Sequence, residues 1–415
     1  MGDIFVDCGV RLVSIPEARY ADYRYDAIFK AYKWDPQVED QNTVSDCVAL
    51  MDKKTAEQLE AWAEQLSEET MLMEEALAKN ISLAKDLGLP KKIFKSLDRL
   101  GGYDKSQHIR LMRIDFHPTT TGWAVSEVNS DVPGGLAEAS VLPEIAKKYI
   151  EADIGCEAGK STAKSLYDAF EGKIEKNVAV AFVHATSYAD DRQVMQFLGD
   201  YFAKWGINAI FAAPDHIEWT AKKALCAIGG KKSAIDGIMR FFPLEWFVGL
   251  QKKSNWLGYL DCETVSCNHP IAIFAQSKRL PLVWDKLNLE IPAWRALLPK
   301  TMDPKSLGPR EAKSGEWVYK PNLGRVGEGI AIKSLTPQKE FLKIEKSIRR
   351  YSADFVAQQK FESQPLSAAN RGDQTYHLCV GAFTVNGKSA GFYARISPYP
   401  LIDSKAKDIP ILISD

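Results

Sequence analysis

The chain has 415 residues and a mass of 46.3 kDa, and its 53 Lys plus Arg against 54 Asp plus Glu leave a net charge near −1. That balance offers no bulk attraction to nucleic acid or to an anionic membrane, so neither is expected as a partner and any phosphate recognition must be local. A content of 46% hydrophobic and 26% charged residues excludes a disordered or fibrous chain and suits two or three lobes around substantial cores.

The seven cysteines, Cys8, Cys47, Cys156, Cys226, Cys262, Cys267 and Cys379, form no CxxC pair. Isolated thiols in a reducing cytoplasm are the expectation. Cys262, Cys267 and His269 match no common structural-zinc spacing. The N-terminus carries Asp3, Asp7 and Arg11 around a short apolar run and shows no signal-peptide pattern, and no segment approaches about twenty apolar residues.

In chain order, RYADYRYDAIFKAYKWDP predicts a short helix closed by Pro36, with no recognisable chemistry. From Lys53 to about Leu87, Leu59, Trp62, Leu66, Met73 and Leu77 fall at helical spacing, and Gly88 and Pro90 end the run. This stripe reads as a packing face. A shorter helix, KKIFKSLDRL, leads to Gly101.

Next comes the stretch on which the reading turns, Arg113 to Asp131. Apolar and polar residues alternate from Leu111 to Phe116 and from Trp123 to Asn129 around PTTTG, which predicts a β-hairpin. Period-two geometry puts Arg113 and Asp115 on one face of the first strand, and Glu127 and Asn129 on one face of the second. Two carboxylates and an amide oxygen are hard ligands of the kind Mg²⁺ takes, and an arginine beside them suits a phosphate bridged to that metal. Taken alone, the same pattern also fits a solvated hairpin face.

VPGGLAEASVLPEIAKKYIEAD follows as a glycine turn feeding a helix, which would bring a helix N-terminus near the hairpin. Asn177 to Ala185, then DDRQVMQFLGDYFAKWG, then INAIFAAP predict a βαβ unit, and DGIMRFFPLEWF a further strand. With no G-x-G-x-x-G, this lobe is not read as dinucleotide-binding, and His184 and His216 stay unassigned. Lys278 and Arg279 lie between an apolar run and a helix.

WVYKPNLGRVGEGIAI places Lys320 at a strand end, followed by Gly324, Gly327 and Gly329 before another strand from Ile330. Such a loop can fold over a triphosphate, because backbone N–H groups reach oxygens that a Cβ would keep away. FVAQQ ends in Gln358 and Gln359, where backbone groups could meet an adenine edge. A last hairpin turns at Asn386-Gly387 with Arg395 late in its second strand. The tail LIDSKAKDIPILISD has two open placements, across an active-site mouth or on the surface.

These motifs occur in an order that resembles the glutathionylspermidine synthase family of ATP-grasp ligases: Arg113-x-Asp115, Glu127-x-Asn129 and Asp-x-Pro, FFPLEWF, Lys278 before LPLVW, Lys320-Pro321-x-x-Gly324-Arg325-x-Gly327, and Arg395. The resemblance implies an α+β fold with an α/β lobe, an ATP-grasp preceded by a pre-ATP-grasp-like region. One integrated unit would comprise a mostly helical region over 1–105, the metal-site hairpin and turn over 106–140, an α/β lobe over 141–270 and a nucleotide-binding lobe over 271–415. It further implies Asp115, Glu127 and Asn129 as Mg²⁺ ligands and Arg113 and Arg395 as catalytic groups. Lys278, Lys320, Gly324, Gly327, Gly329 and Gln358 or Gln359 would hold ATP. The implied reaction joins a peptide or other carboxylate to a polyamine or other amine. The alternatives on the same fold are a catalytically silent ATP-binding protein and an ATP-grasp kinase. Two positions depart from the family pattern: Val132-Pro133-Gly134-Gly135 lacks the hydroxyls of the family's turn, and Val326 stands where an acidic residue is common.

Overall fold

The computed structural model describes residues 7–34, 37–38, 41–151, 154–175, 178–251, 254–308, 310–325, 327–368 and 374–415. Pro36 and Val326 lie outside them.

The centre is a six-stranded antiparallel sheet. Its main path runs Lys407–Asp408, Lys388–Ser397, Thr375–Val385, Leu111–Thr119 and Gly122–Asn129, with Pro365–Ser367 off this path, pairing with the first residues of Thr375–Val385. Both predicted hairpins are therefore neighbours, joined where Leu111–Thr119 pairs with Thr375–Val385. Asn386 and Gly387, at φ 50° and 80°, make the tight turn their sequence predicts. Alternation splits this sheet into two faces. Met112, Ile114, Phe116, Val380, Ala382 and Phe392 point into the main core, whereas Arg113, Asp115, Glu127, Asn129, Tyr393 and Arg395 line a cavity on the other side.

The helix Lys53–Lys79 covers the core face. Asp52 caps it by accepting from the Thr55 N–H at 2.6 Å. Leu59, Leu66, Met73 and Leu77 are buried, and Trp62 stacks on Phe116. The helix stops at Lys79, short of the predicted Leu87; a 3₁₀ segment over Ile81–Leu87 completes the run before Gly88 turns at φ 64°.

The α/β lobe is as expected, with strands Ala179–His184, Asn208–Ala212, Gly237–Phe241 and Val265–Cys267 all parallel and the helix Ala189–Ala203 in the βαβ crossover. Of DGIMRFFPLEWF only Gly237–Phe241 is strand; Pro243 breaks the ladder and Leu244–Gly249 is 3₁₀. The three-stranded meander Ile217–Thr220, Lys223–Ile228 and Lys231–Ala234 carries no motif. A fourth sheet joins Thr301–Met302, Phe355–Gln359, Trp317–Pro321 and Ala331–Ile332 under the helix Gln338–Arg350.

Three expectations gain detail. The region over 1–105 holds the expected helices Glu17–Lys30 and Lys53–Lys79, but also the strands Val10–Ser14 and Cys47–Asp52. Of the tail's two placements, the surface one gives way: Leu401 to Ser404, Ala406 and Asp408 line the large cavity, and Ile411–Ser414 lies inside a four-stranded sheet, parallel to Cys47–Asp52 and antiparallel to Cys156–Glu157. The turn after the first hairpin does not feed a helix directly. Residues 136–141 are successive turns, and the helix is confined to Leu142–Ala146, with Pro143 in its first turn.

Candidate active site

The hairpin builds the site through a register slip. Arg113 stands opposite Asn129 and Asp115 opposite Glu127, but between Asp115 and Phe116 the register shifts, so Phe116 pairs with Val125 and Ser126 is the extra residue. Trp123, Val125, Glu127 and Asn129 would all share one face of an unbroken strand. The bulge instead buries Val125 in the core and leaves Glu127 and Asn129 on the cavity. It also frees the Ser126 carbonyl, which accepts from Lys320 Nζ at 3.0 Å and from Gln358 Nε2 at 3.3 Å.

Charges are tightly paired on this face. Arg113 grips Asp115 with two parallel hydrogen bonds, Nε to Oδ1 at 2.7 Å and Nη2 to Oδ2 at 2.9 Å. Burial opposes the Arg113 charge, but Asp115 outweighs it and raises the guanidinium above its ordinary range. Asn129 donates its amide to Asp115 at 2.9 Å and to Glu127 at 3.4 Å. Its nitrogen therefore faces the carboxylates, and a flip of the amide would turn its oxygen to a cation there.

Partial burial disfavours the Glu127 charge, yet Lys278, Lys320 and Arg113 bring its pKa down to about 2. Lys278 Nζ lies 3.3 Å from its Oε2 and donates to the Gly324 carbonyl at 2.8 Å, tying the glycine loop to the hairpin. Lys320 goes the other way. Burial lowers its pKa to about 8; Glu127 works against that and Lys278 adds to it. The site thus holds a lysine whose charge the protein compensates incompletely, the condition a bound polyphosphate would relieve.

Arg113, Asp115, Glu127, Asn129, Lys320, Gly324, Gly327, Gln358, Gln359 and Arg395 line one cavity of ≈ 1020 Å³. Lys278 lines a smaller adjoining one of ≈ 30 Å³, together with Glu127, Lys320 and Gln358. Gly329 lies outside both linings: at φ 68° a Cβ there would sit 2.9 Å from Pro321 Cγ, so it serves the turn. Gly327 is needed for a closer reason, since its φ is 72° and a Cβ would come 2.9 Å from the Ile402 carbonyl. The two glutamines differ, Gln358 being buried and Gln359 exposed.

Several cavity residues carried no signal in the sequence. Lys33, from the N-terminal region, donates to Asp408 and to Glu138, each at 2.7 Å. Asp408, in the tail, also accepts from Tyr393 at 2.7 Å. Arg395 donates to the Asp403 and Ala406 carbonyls at 2.6 and 3.0 Å, which draws the tail along the cavity wall. Tyr393 alone was findable: it is two residues from Arg395 on the same strand face. Arg325 binds Glu245 at 2.7 Å, and Asp131 pairs with the fully buried Arg240, so the loop is also moored to the α/β lobe.

Donor chemistry fits a divalent cation at Asp115 and Glu127, two hard carboxylates directly opposite each other on the cavity wall. Among the described residues no cluster of three or more His, Cys, Asp or Glu is placed to hold a metal, so the amide of Asn129 and ligand oxygens would have to complete the shell. None of the seven cysteines is in a disulfide. No helix among the described residues is long and apolar enough to cross a membrane.

A mixed α/β chain with several sheets and a large cavity lined by charged residues of both signs is the class this fold defines. The family model for the glutathionylspermidine synthase pre-ATP-grasp family matches residues 19–414, and the chain belongs to that family. In coarse terms, this makes it a member of an ATP-dependent ligase family. Among solved structures, a glutathione synthetase-like effector from Globodera pallida in its apo form is similar in fold, with TM-score 0.62, 12% identity and coverage of 95% of this chain and 97% of that one. A protein described as "Putative gamma-glutamylcysteine synthetase" from Methylobacillus flagellatus KT matches with TM-score 0.42, 10% identity and 83% and 88% coverage, too slight a likeness to carry an argument. No curated protein matches the chain.

Proposed function

We propose that the protein is an ATP-dependent carboxylate-amine ligase that forms an amide through an acyl-phosphate. The observation that carries this reading is the convergence of Arg113, Asp115, Glu127, Lys278 and Lys320 around two cavities with shared walls, one of them with room for a nucleotide and a second substrate. The family membership supports it.

In the proposed reaction a substrate carboxylate oxygen attacks the γ-phosphorus of ATP, the bond to the bridging oxygen breaks, and ADP leaves. The amine nitrogen then attacks the acyl carbon, phosphate departs and the nitrogen loses a proton. Lys278 and Lys320 would hold the nucleotide phosphates, and Arg113 would stabilise charge on the phosphoryl group in transfer. Asp115, Glu127 and Asn129 would hold Mg²⁺, which supplies neutralisation of phosphate charge when bound. The loop over Gly324 and Gly327, moored by Lys278 and Arg325, would exclude water from the acyl-phosphate. Gln358, buried beside Lys320, is the better placed of the two glutamines to meet the nucleotide.

The test is ADP and phosphate release with ATP, Mg²⁺ and a panel of peptides and polyamines. Release is expected only when carboxylate and amine are both present, with an amide found by mass spectrometry. A stable phosphorylated product would make the protein a kinase instead, and nucleotide binding without turnover would make it a silent binder. Activity that survives Asp115→Ala, Glu127→Ala and Lys320→Ala would overturn the assigned machinery.

A further inference from the structure

The Arg113 side chain and the ring beside it each lie where a glycine leaves room, Arg113 over Gly381 and Tyr393 against Gly135. In the central sheet Asp115, Gly381 and Tyr393 stand side by side on three adjacent strands. Arg113 runs flat over Gly381, where a Cβ would come 2.6 Å from its Cδ and 2.9 Å from its Cγ. Its guanidinium is held by Asp115 on one side, and its Cζ lies 5.0 Å from the centre of the Tyr393 ring on the other. The third nitrogen, Nη1, donates to the Gly134 carbonyl at 2.7 Å.

Tyr393 is itself fixed. Its hydroxyl donates to Asp408 Oδ1 at 2.7 Å, and the other oxygen of Asp408 accepts from Lys33, which also reaches Glu138. The ring fills the place of a side chain at residue 135: Gly135 has φ 91°, and a Cβ on it would come 2.7 Å from the Tyr393 Cγ. The glycine turn that departs from the family pattern is thus matched by an aromatic ring packed into it.

We infer that Tyr393, seated against Gly135 and anchored through Asp408 to Lys33, is a positioning residue that aims the Arg113 guanidinium into the cavity. The kinetic part of this inference rests on the ligase reading; the geometric part does not. Removing the ring leaves Arg113 held only by Asp115 and the Gly134 carbonyl, with the space beside it open, so its aim loosens and transfer slows while nucleotide binding, which Lys278 and Lys320 provide, is kept. Through this seat the N-terminal region and the tail both bear on the orientation of one arginine.

The experiment uses the full chain labelled with ¹⁵N and follows the arginine Nε–Hε resonances, with Arg113→Lys identifying that of Arg113. Tyr393→Leu is expected to move or broaden that resonance and to lower kcat for ADP release by about tenfold with KM for ATP within about twofold. Tyr393→Phe, which keeps the ring, is expected to hold the wild-type resonance position and most of kcat. If Tyr393→Leu fails to fold, Gly381→Ala displaces Arg113 from beneath and should give the same spectral change. An Arg113 resonance unmoved by loss of the ring, or by Gly381→Ala in its place, overturns the inference. Absence of ADP release from the wild-type protein would defeat the ligase reading alone, because the spectra still decide the seat.

Discussion

On one side of Arg113, Glu127, Lys278 and Lys320 bring one carboxylate to two lysines; on the other, Lys33 meets Asp408 and Glu138, one lysine to two carboxylates. The first side has cation in excess, whereas the second is balanced once Arg395, 3.8 Å from Asp408, is counted, and the consequences differ. Lys320, depressed to about 8 by burial and by the neighbouring Lys278, is a cation awaiting a counter-charge. Lys33 is buried too, but Asp408 and Glu138 outweigh the cost of burial and hold it well above the ordinary lysine range. The first side is poised for an anionic ligand. The second is closed by its own pairs and serves to fix Tyr393.

The largest effect is expected where the pairs are closed. Lys33→Met takes the shared cation from half-buried Glu138 and leaves buried Asp408 with only Arg395, 3.8 Å away, and should cost about 3 kcal/mol of stability, measured by denaturant unfolding. A loss under about 1 kcal/mol would mean that this side is no more structural than the other. Next in size, Arg113→Lys replaces a bidentate fork by a point charge, and Glu127→Gln removes a carboxylate facing the lysines. Each should lower kcat for ADP release by about 10²–10³, with the melting temperature little changed.

A smaller effect separates the two lysines by pH. Lys320 is partly deprotonated above about pH 8 in the free protein, and phosphates will raise its pKa. Binding of a non-hydrolysable ATP analogue at pH 8.5–9 should therefore take up close to one proton, and almost none near pH 7; calorimetry in two buffers of different ionisation enthalpy reads this. Unfolding reports the same group: its penalty on the folded state is full below about pH 8 and is relieved as pH climbs toward the ordinary lysine value near 10.4. Lys320→Met should abolish the proton uptake and leave stability unchanged or slightly raised, in contrast to Lys33→Met. The smallest effect is a control away from both sides: Gly387→Ala, at φ 80° in the second hairpin turn, should cost about 1 kcal/mol without moving KM for ATP.

Both hairpins, the helix from Lys53, the βαβ unit and the glycine loop were legible in the chain because their signals are local: period two, period 3.6, Asn-Gly, and lysine before clustered glycines. Arg113, Asp115, Glu127 and Asn129 were legible for the same reason, being two strands of one hairpin within nineteen residues of Arg113 to Asp131. Their shared face depends on something less local. Alternation alone would turn Val125 the same way as Glu127, and only the bulge at Ser126, paid out against the paired strand, sends one to the core and the other to the cavity.

Lys33, Tyr393 and Asp408 could not be read together, because nothing local links residues so far apart in the chain; the sheet pairings that make them neighbours are tertiary. Gly135 and Gly381 were illegible in a different way. A glycine chosen for a turn and a glycine chosen to leave room look the same in a sequence, and only the ring of Tyr393 above one and the stem of Arg113 above the other reveal the second purpose. By itself, then, the sequence determined which side chains the hairpin and the glycine loop present together, since those follow from short-range periodicity. The tertiary structure decided how they are aimed, since aim depends on volumes left empty and on partners drawn from both ends of the chain.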